Sequence, residues 1–211
     1  MVILVITYAL NGATQTLSPG LDVLGYGYDV FGEYADQKSK RRYCLFKYGN
    51  YEQVPIGSEL YKVPQYVILE NISNHIVKTI EGSSVRDYAM SQSASVGLST
   101  DAMFFSASVN SSFSKSTSGT HQHFYYTYRD ANTKWRISFD ERNLDQLKKI
   151  LDPQFKKDLA TMDPNKLFKV YGTHFITSAY LGGRADYNST SVITSETNTT
   201  DIAVAVKTKY Q

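Results

Sequence analysis

The sequence predicts an α+β domain in which sheet outweighs helix, and three observations carry that expectation. Seventeen Tyr and ten Phe stand beside abundant Ser and Thr and only five Pro in 211 residues, a composition that suits pleated, half-buried surfaces better than helix bundles. Two-residue alternation of apolar and small polar side chains recurs at Met90 to Ser114 and at Thr200 to Tyr210, the period of strands. Helical spacing of apolar residues takes over around Asn143 to Met162, between these β-rich parts.

The length fits one sizeable domain with a real core. Lys and Arg number 22 against 20 Asp and Glu, so no general field attracts nucleic acid or anionic lipid. The basic run Lys40-Arg41-Arg42 is short and isolated and reads as a solvated loop entering a strand, not as a nucleic-acid site. Cys44 is the sole cysteine, which excludes an internal disulfide framework and the usual Cys-based zinc clusters.

The opening apolar run Met1 to Leu10 is far shorter than the ~20 residues a transmembrane helix needs. Followed by the small residues Gly12 and Ala13, it reads as a trimmed secretory signal over residues 1–16, although no basic residue precedes it; a first buried strand is the alternative. Residues 17–211 are then the domain proper. Asn-x-Ser/Thr acceptors at Asn71, Asn110, Asn188 and Asn198 are compatible with a secretory route and also arise by chance in a Ser/Thr-rich chain.

Along the chain, glycines punctuate aromatic and apolar residues from Gly20 to Tyr34, giving a strand near Leu24 to Phe31. Pro55, Gly57 and Pro64 predict irregular structure before a strand at Tyr66 to Leu69. Leu144, Leu147, Ile150 and Leu151 share one helical face, and Phe155 and Leu159 a second, after a break at Pro153. Asp163-Pro164 reads as an N-cap with proline at the first helical position, launching Asn165 to Tyr171.

Met90 to Phe113 satisfies two periods at once. As a strand, Met90, Gln92, Ala94, Val96, Leu98 and Thr100 share one face and five small residues the other; after Asp101 the phase flips, so that Met103, Phe105, Ala107, Val109 and Phe113 share a face with Ser111, while Phe104, Ser106, Ser108, Asn110, Ser112 and Ser114 oppose them. That is the pattern of a hairpin turning near Asp101 to Met103, with arms close to the 9–11 residues a tilted strand needs to cross a bilayer. As a helix, Met90, Ala94, Leu98, Ala102, Phe105, Val109 and Phe113 recur at steps of three or four. Coexistence of both periods is what a segment needs to be helical in water and strand in lipid; an ordinary exposed hairpin or a Ser-rich loop is the plainer alternative.

Tyr171-Gly172-Thr173-His174-Phe175-Ile176-Thr177-Ser178-Ala179-Tyr180-Leu181-Gly182-Gly183 closely resembles the signature of the membrane-attack-complex/perforin family. Leu24-Gly25-Tyr26-Gly27-Tyr28-Asp29 resembles that family's N-terminal glycine-rich strand, and Phe155 to Tyr171 its helical approach to the signature. The resemblance implies a bent, twisted antiparallel β-sheet flanked by helical clusters that convert to transmembrane β-hairpins within a homo-oligomeric ring or arc. Met90 to Ser118 takes the place of the first cluster, so Met90, Ala94, Val96, Leu98, Phe105, Val109 and Phe113 become the membrane-inserting candidates.

Ile202, Val204 and Val206 would open the second hairpin, whose remainder the resemblance places beyond Gln211. Gly182-Gly183 inside a strand with Phe175, Thr177, Ala179 and Leu181 on one face would permit a bend or a close approach by another segment. The expected function is a non-enzymatic, secreted pore-forming domain acting at a target membrane, with a lipid membrane and its own copies as partners, no nucleic acid and no cofactor or metal. The alternative is a non-lytic protein of the same fold that binds or assembles at a cell surface. No Ser, Cys or carboxylate spacing around His174 forms a triad or metal site. His121 and His123 share a strand face but are too few to build a site.

Overall fold

A computed structural model describes residues 16–96, 98, 104–105, 109, 113, 122–193, 200–201, 204–205 and 208. The run at residues 1–15 and the turn expected at Asp101 to Met103 lie outside them. The elements are β1 (Thr16–Leu17), β2 (Tyr26–Tyr28), β3 (Lys40–Cys44), β4 (Tyr51–Ile56), β5 (Glu59–Pro64), β6 (Val67–Gly82), α1 (Val85–Ala94), β7 (His123–Phe139), α2 (Leu144–Leu147), α3 (Pro153–Thr161), α4 (Pro164–Tyr171), β8 (His174–Phe175) and β9 (Ser178–Val192).

They form sheets ordered β1-β5-β4, β3-β2-β8 and β6-β7-β9. In the last, Glu70 meets Arg136 and His75 meets Asp130, while Thr127 meets Asn188 and Arg129 meets Asp186. Partner numbers fall on one strand as they rise on the next, the mark of antiparallel pairing. The fold is α+β, with helices beside an antiparallel sheet.

The chain divides into two compact units. The first holds Met1–Asp29, Ala35–Asn74 and Thr133–Gly183; the second holds Val30–Tyr34, His75–Asn132 and Arg184–Gln211. Each of the three long strands contributes to both, and on β9 the change of unit follows directly on Gly183.

In the first unit, Val23, Leu24, Tyr28, Ile137, Ile176, Ala179 and Leu181 make the driest core. Phe46 packs edge-on against Phe139 at 4.9 Å and Phe175 at 5.6 Å, and Trp135 against Tyr61 at 5.2 Å; offset aromatic pairs add to burial. Residues Pro55 to Pro64, expected to be irregular, instead form an antiparallel hairpin running from Tyr51↔Pro64 to Ile56↔Glu59. The prolines are tolerated because β4 is an outer strand, where a missing N–H costs no ladder bond, and Pro64 closes β5.

The expected strand near Leu24 to Phe31 is only three residues long, because Val23 and Leu24 return as tight turns to the Gly20 carbonyl. Pro153 and Pro164 each open a helix at its first position, and the preceding Asp152 and Asp163 carboxylates accept two backbone N–H groups apiece. The face expected across Leu144 to Leu151 shortens to the single turn α2 followed by a 3₁₀ turn, and Leu151 bridges to Phe46. Leu159 is exposed, so α3 packs through Phe155, whose ring lies 4.8 Å from that of Tyr171.

In the second unit, β7 is buried on both faces from Phe124 to Arg129, as befits a central strand. One face carries Tyr125 in a cluster with Ile80, Tyr88, Ala89, Val109 and Phe113. The other carries Phe124, Tyr126 and Tyr128, with Ile193 against them.

Candidate functional site

Two regions singled out in the sequence acquire geometry. The first is the pairing of the glycine-rich strand with the signature. Strand β2 runs antiparallel to β8, with Gly27 opposite Phe175 and Tyr28 opposite His174. The ladder is extended by bonds from Gly25 N–H to the Ile176 carbonyl (2.8 Å), Ile176 N–H to Tyr26 (3.0 Å) and Thr173 N–H to Tyr28 (3.1 Å).

Glycine is required here for want of space. A Cβ on Gly27 would sit 1.6 Å from the Tyr171 carbonyl oxygen, and one on Gly172 would sit 2.6 Å from the Tyr28 nitrogen. Gly172 also ends α4 with φ +86°, a conformation that suits glycine at a helix terminus.

Within the signature, Tyr171 is buried and its hydroxyl donates to Asp158 on α3 at 2.6 Å. That bond, with a second from Gln154, holds the Asp158 carboxyl below its ordinary value; burial and the same carboxylate push the Tyr171 phenol up to about 12. Thr173 Oγ1 donates to the Tyr28 carbonyl (3.3 Å) and lies 3.1 Å from His174 Nδ1. His174 is exposed, and partial desolvation lowers its pKa. Among the described residues no group of three or more His, Cys, Asp or Glu stands where it would hold a metal.

The face expected for this strand holds at Ala179 and Leu181 and fails at Phe175. Ile176 is buried while Phe175 is exposed, because the chain breaks between β8 and β9 before Ala179 and Leu181 turn inward. Of the two readings of the Gly182-Gly183 pair, close approach fails at Gly183, where nothing lies within 4 Å of a built Cβ.

The second region is the doubly periodic segment. It begins as helix α1, capped by the Ser84 hydroxyl, which accepts the Asp87 N–H at 3.0 Å; Val109 and Phe113 are also helical. The expected helical stripe is displaced. Tyr88, Ala89, Gln92 and Ser93 are buried, whereas Met90 is half-buried and Ala94 exposed.

The displaced face is held by polar bonds. The Tyr88 hydroxyl lies 2.6 Å from Thr127 Oγ1, which in turn donates to Asn188 Oδ1 at 2.6 Å, and Ser93 Oγ donates to the Ala89 carbonyl. Tyr88 stacks edge-on with Phe113 at 5.1 Å, and Phe113 with Tyr125 at 5.2 Å. Among the other candidates Val96, Phe105, Val109 and Phe113 are buried and Leu98 is half-buried.

Ile202 and Val206 lie outside the described residues; Val204 is helical and exposed, its carbonyl accepting the Thr208 hydroxyl. His121 also lies outside them. His123 opens β7 half-buried, with its ring 6.3 Å from that of Tyr125. No helix among the described residues is long and apolar enough to cross a membrane, which leaves crossing by strands untouched.

An antiparallel sheet with capped helices, together with a glycine-rich strand paired to a Tyr-Gly-Thr-His strand, defines an α+β domain of one recognisable class. The chain belongs to the MAC/Perforin domain family, whose model matches residues 14–211. Among solved structures it is similar to GNIP1Aa from Chromobacterium piscinae, at 29% identity and a TM-score of 0.75, covering 89% of this chain and 37% of that one. A MAC/Perforin-domain protein from Bacteroides thetaiotaomicron shares the fold at 16% identity and a TM-score of 0.66, covering 92% of this chain and 41% of that one. The chain thus spans about two fifths of the length of these structures. No curated protein sequence matches it.

Two measurements check the signature geometry. Gly27→Ala forces backbone against backbone and should cost at least about 3 kcal/mol in urea unfolding, the range of severe core strain, whereas Gly183→Ala, in open space, should stay within about 1 kcal/mol. Asp158, with its folded pKa depressed, contributes stability that is full above the unfolded carboxylate value and fades as pH falls through the folded one. Tyr171→Phe removes the main cause, so unfolding free energies of wild type and variant should differ at neutral pH and draw together as pH falls below the ordinary carboxylate range and through the depressed folded value.

Proposed function

We propose that the chain is a pore-forming domain that oligomerises side by side on a membrane and inserts amphipathic β-hairpins into a shared barrel. One observation carries the reading. Residues whose alternation fits a lipid-crossing strand start as the capped helix α1 and the helical residues Val109 and Phe113, packed on the β-sheet.

The energetics favour an exchange. Burying Val96, Phe105, Val109 and Phe113 is worth about 1.5–3 kcal/mol each relative to water. Hydrocarbon repays that on insertion, so conversion carries little apolar penalty. The backbone sets the condition, because a lone hairpin in lipid leaves its edge N–H and C=O groups unpaired. Neighbouring copies supply those partners, which makes side-by-side assembly part of the mechanism.

In this reading the protein is secreted, its partners are a lipid membrane and its own copies, and it catalyses no reaction. Exposed His174, beside Thr173 at the β2–β8 junction, then has a structural role. The first helical cluster supplies one hairpin, and helical Val204 belongs to the start of the second.

Dye-loaded vesicles of several lipid compositions test the proposal. The full-length protein should release dye, and its membrane-bound form should migrate as a detergent-resistant ring or arc. Surface binding without release in every composition would instead support a non-lytic assembly protein, and His174→Ala should alter thermal stability without abolishing any turnover.

A further inference from the structure

Five residues, Val30–Tyr34, belong to the second compact unit although the chain on either side, through Asp29 and from Ala35, belongs to the first. What they hold is the Phe104-Phe105 pair, immediately after the turn expected in the first hairpin. The Phe105 N–H donates to the Val30 carbonyl at 2.6 Å. The rings of Phe31 and Phe104 lie 5.8 Å apart, and Tyr34 stacks edge-on with Phe105 at 5.1 Å.

Phe105 is fully buried with φ +55°, a left-handed conformation that a bulky residue keeps only where its surroundings over-determine it. Those surroundings are the strap itself and the bolt that fixes it. The Tyr34 ring has the Arg129 guanidinium of β7 at 4.4 Å and the Arg184 guanidinium of β9 at 5.3 Å. Asp186 binds Arg129 through two bonds of 2.8 and 2.9 Å and lies 3.4 Å from Arg184. Arg129 is almost wholly buried, so this paired charge is costly to disrupt and fixes Tyr34 in place.

We propose that Val30–Tyr34 is an intramolecular clasp that holds Phe104-Phe105 against the sheet and must open before Met90 to Phe113 can extend into a hairpin. The inference rests on the pore-forming reading for its purpose, but not for its existence. A strand needs Phe105 in the extended region, so extension breaks the bond to Val30 and withdraws both rings from Phe31 and Tyr34. The contact is autoinhibitory because it covers Phe105, which lies on the face of the extended hairpin that would meet lipid, together with its neighbour Phe104. Its release is local, since the strap is five residues long and its bolt lies within β7 and β9 of the same unit.

Limited chymotrypsin digestion of the full-length protein tests the clasp, since this protease cuts after Phe. Tyr34→Ala should raise cleavage after Phe104 and Phe105 by about tenfold, because proteolysis tracks the population of the opened form, with cleavage elsewhere unchanged and Tyr34→Phe near wild type. Wild-type cleavage rates in Tyr34→Ala would overturn the proposal. Should that variant be digested throughout its length, the decision passes to Phe31→Cys with Phe104→Cys in a Cys44→Ser background, joined by a short bifunctional thiol reagent. Joining should abolish dye release that each single-cysteine protein retains; undiminished release from the joined protein would overturn the clasp. If the wild type releases no dye at all, the pore-forming reading fails, and the digestion decides the clasp alone.

Discussion

The first unit depends on a contact with no clearance, the backbone of Gly27 lying against the carbonyl of Tyr171. It joins segments some 145 residues apart in the chain, and closing so long a loop carries an entropic cost that must be met locally. Several backbone bonds between Gly25 to Tyr28 and Thr173 to Ile176 meet it, and they form only because neither Gly27 nor Gly172 carries a side chain. The β2–β8 ladder then seats Ile176 in the core and aligns α4, whose last residue Tyr171 anchors α3 through Phe155 and Asp158. A sequence pattern of glycines and aromatics is thus a packing constraint before it is a family signature.

The second unit obeys a different constraint. Helix α1 satisfies its own backbone, so its stability against the sheet rests on side chains: Tyr88 bonded to Thr127, Ala89 and Phe113 in the cluster with Tyr125, and Ser84 at the cap. Apart from the rings and Ala89, these are polar bonds of modest net worth. A helix held in this way is well placed to leave a sheet when lipid offers its apolar residues an equal refuge. Under the proposed function, the cost of leaving would lie in backbone hydrogen bonds, which neighbouring copies would have to restore, and in the proposed strap over Phe104-Phe105.

Local chemistry was the legible part of the sequence. Asp163-Pro164 marks a helix start because the carboxylate and the fixed φ act on adjacent residues, and the structure shows both at work. The two glycine motifs were legible as motifs, but their pairing was not, since nothing in Gly27 encodes a partner at Tyr171. The Tyr51 to Pro64 hairpin was hidden by its prolines, which are breakers except on an outer strand, and edge position is a tertiary property. The buried face of α1 was hidden because two of its members, Gln92 and Ser93, are polar, so hydrophobic spacing pointed one residue away. The clasp gave no periodic signal; it exists through a left-handed Phe105 and two arginines distant in sequence.

The central claim is that one stretch of chain has two backbone states, helical on the sheet and extended in lipid. A nitroxide scan through Val85 to Val96 measures this directly, by the period of oxygen accessibility along the chain. The account predicts a repeat of about 3.6 residues in solution and of two residues when the full-length protein is bound to vesicles. A helical repeat that persists in the membrane-bound protein would contradict it.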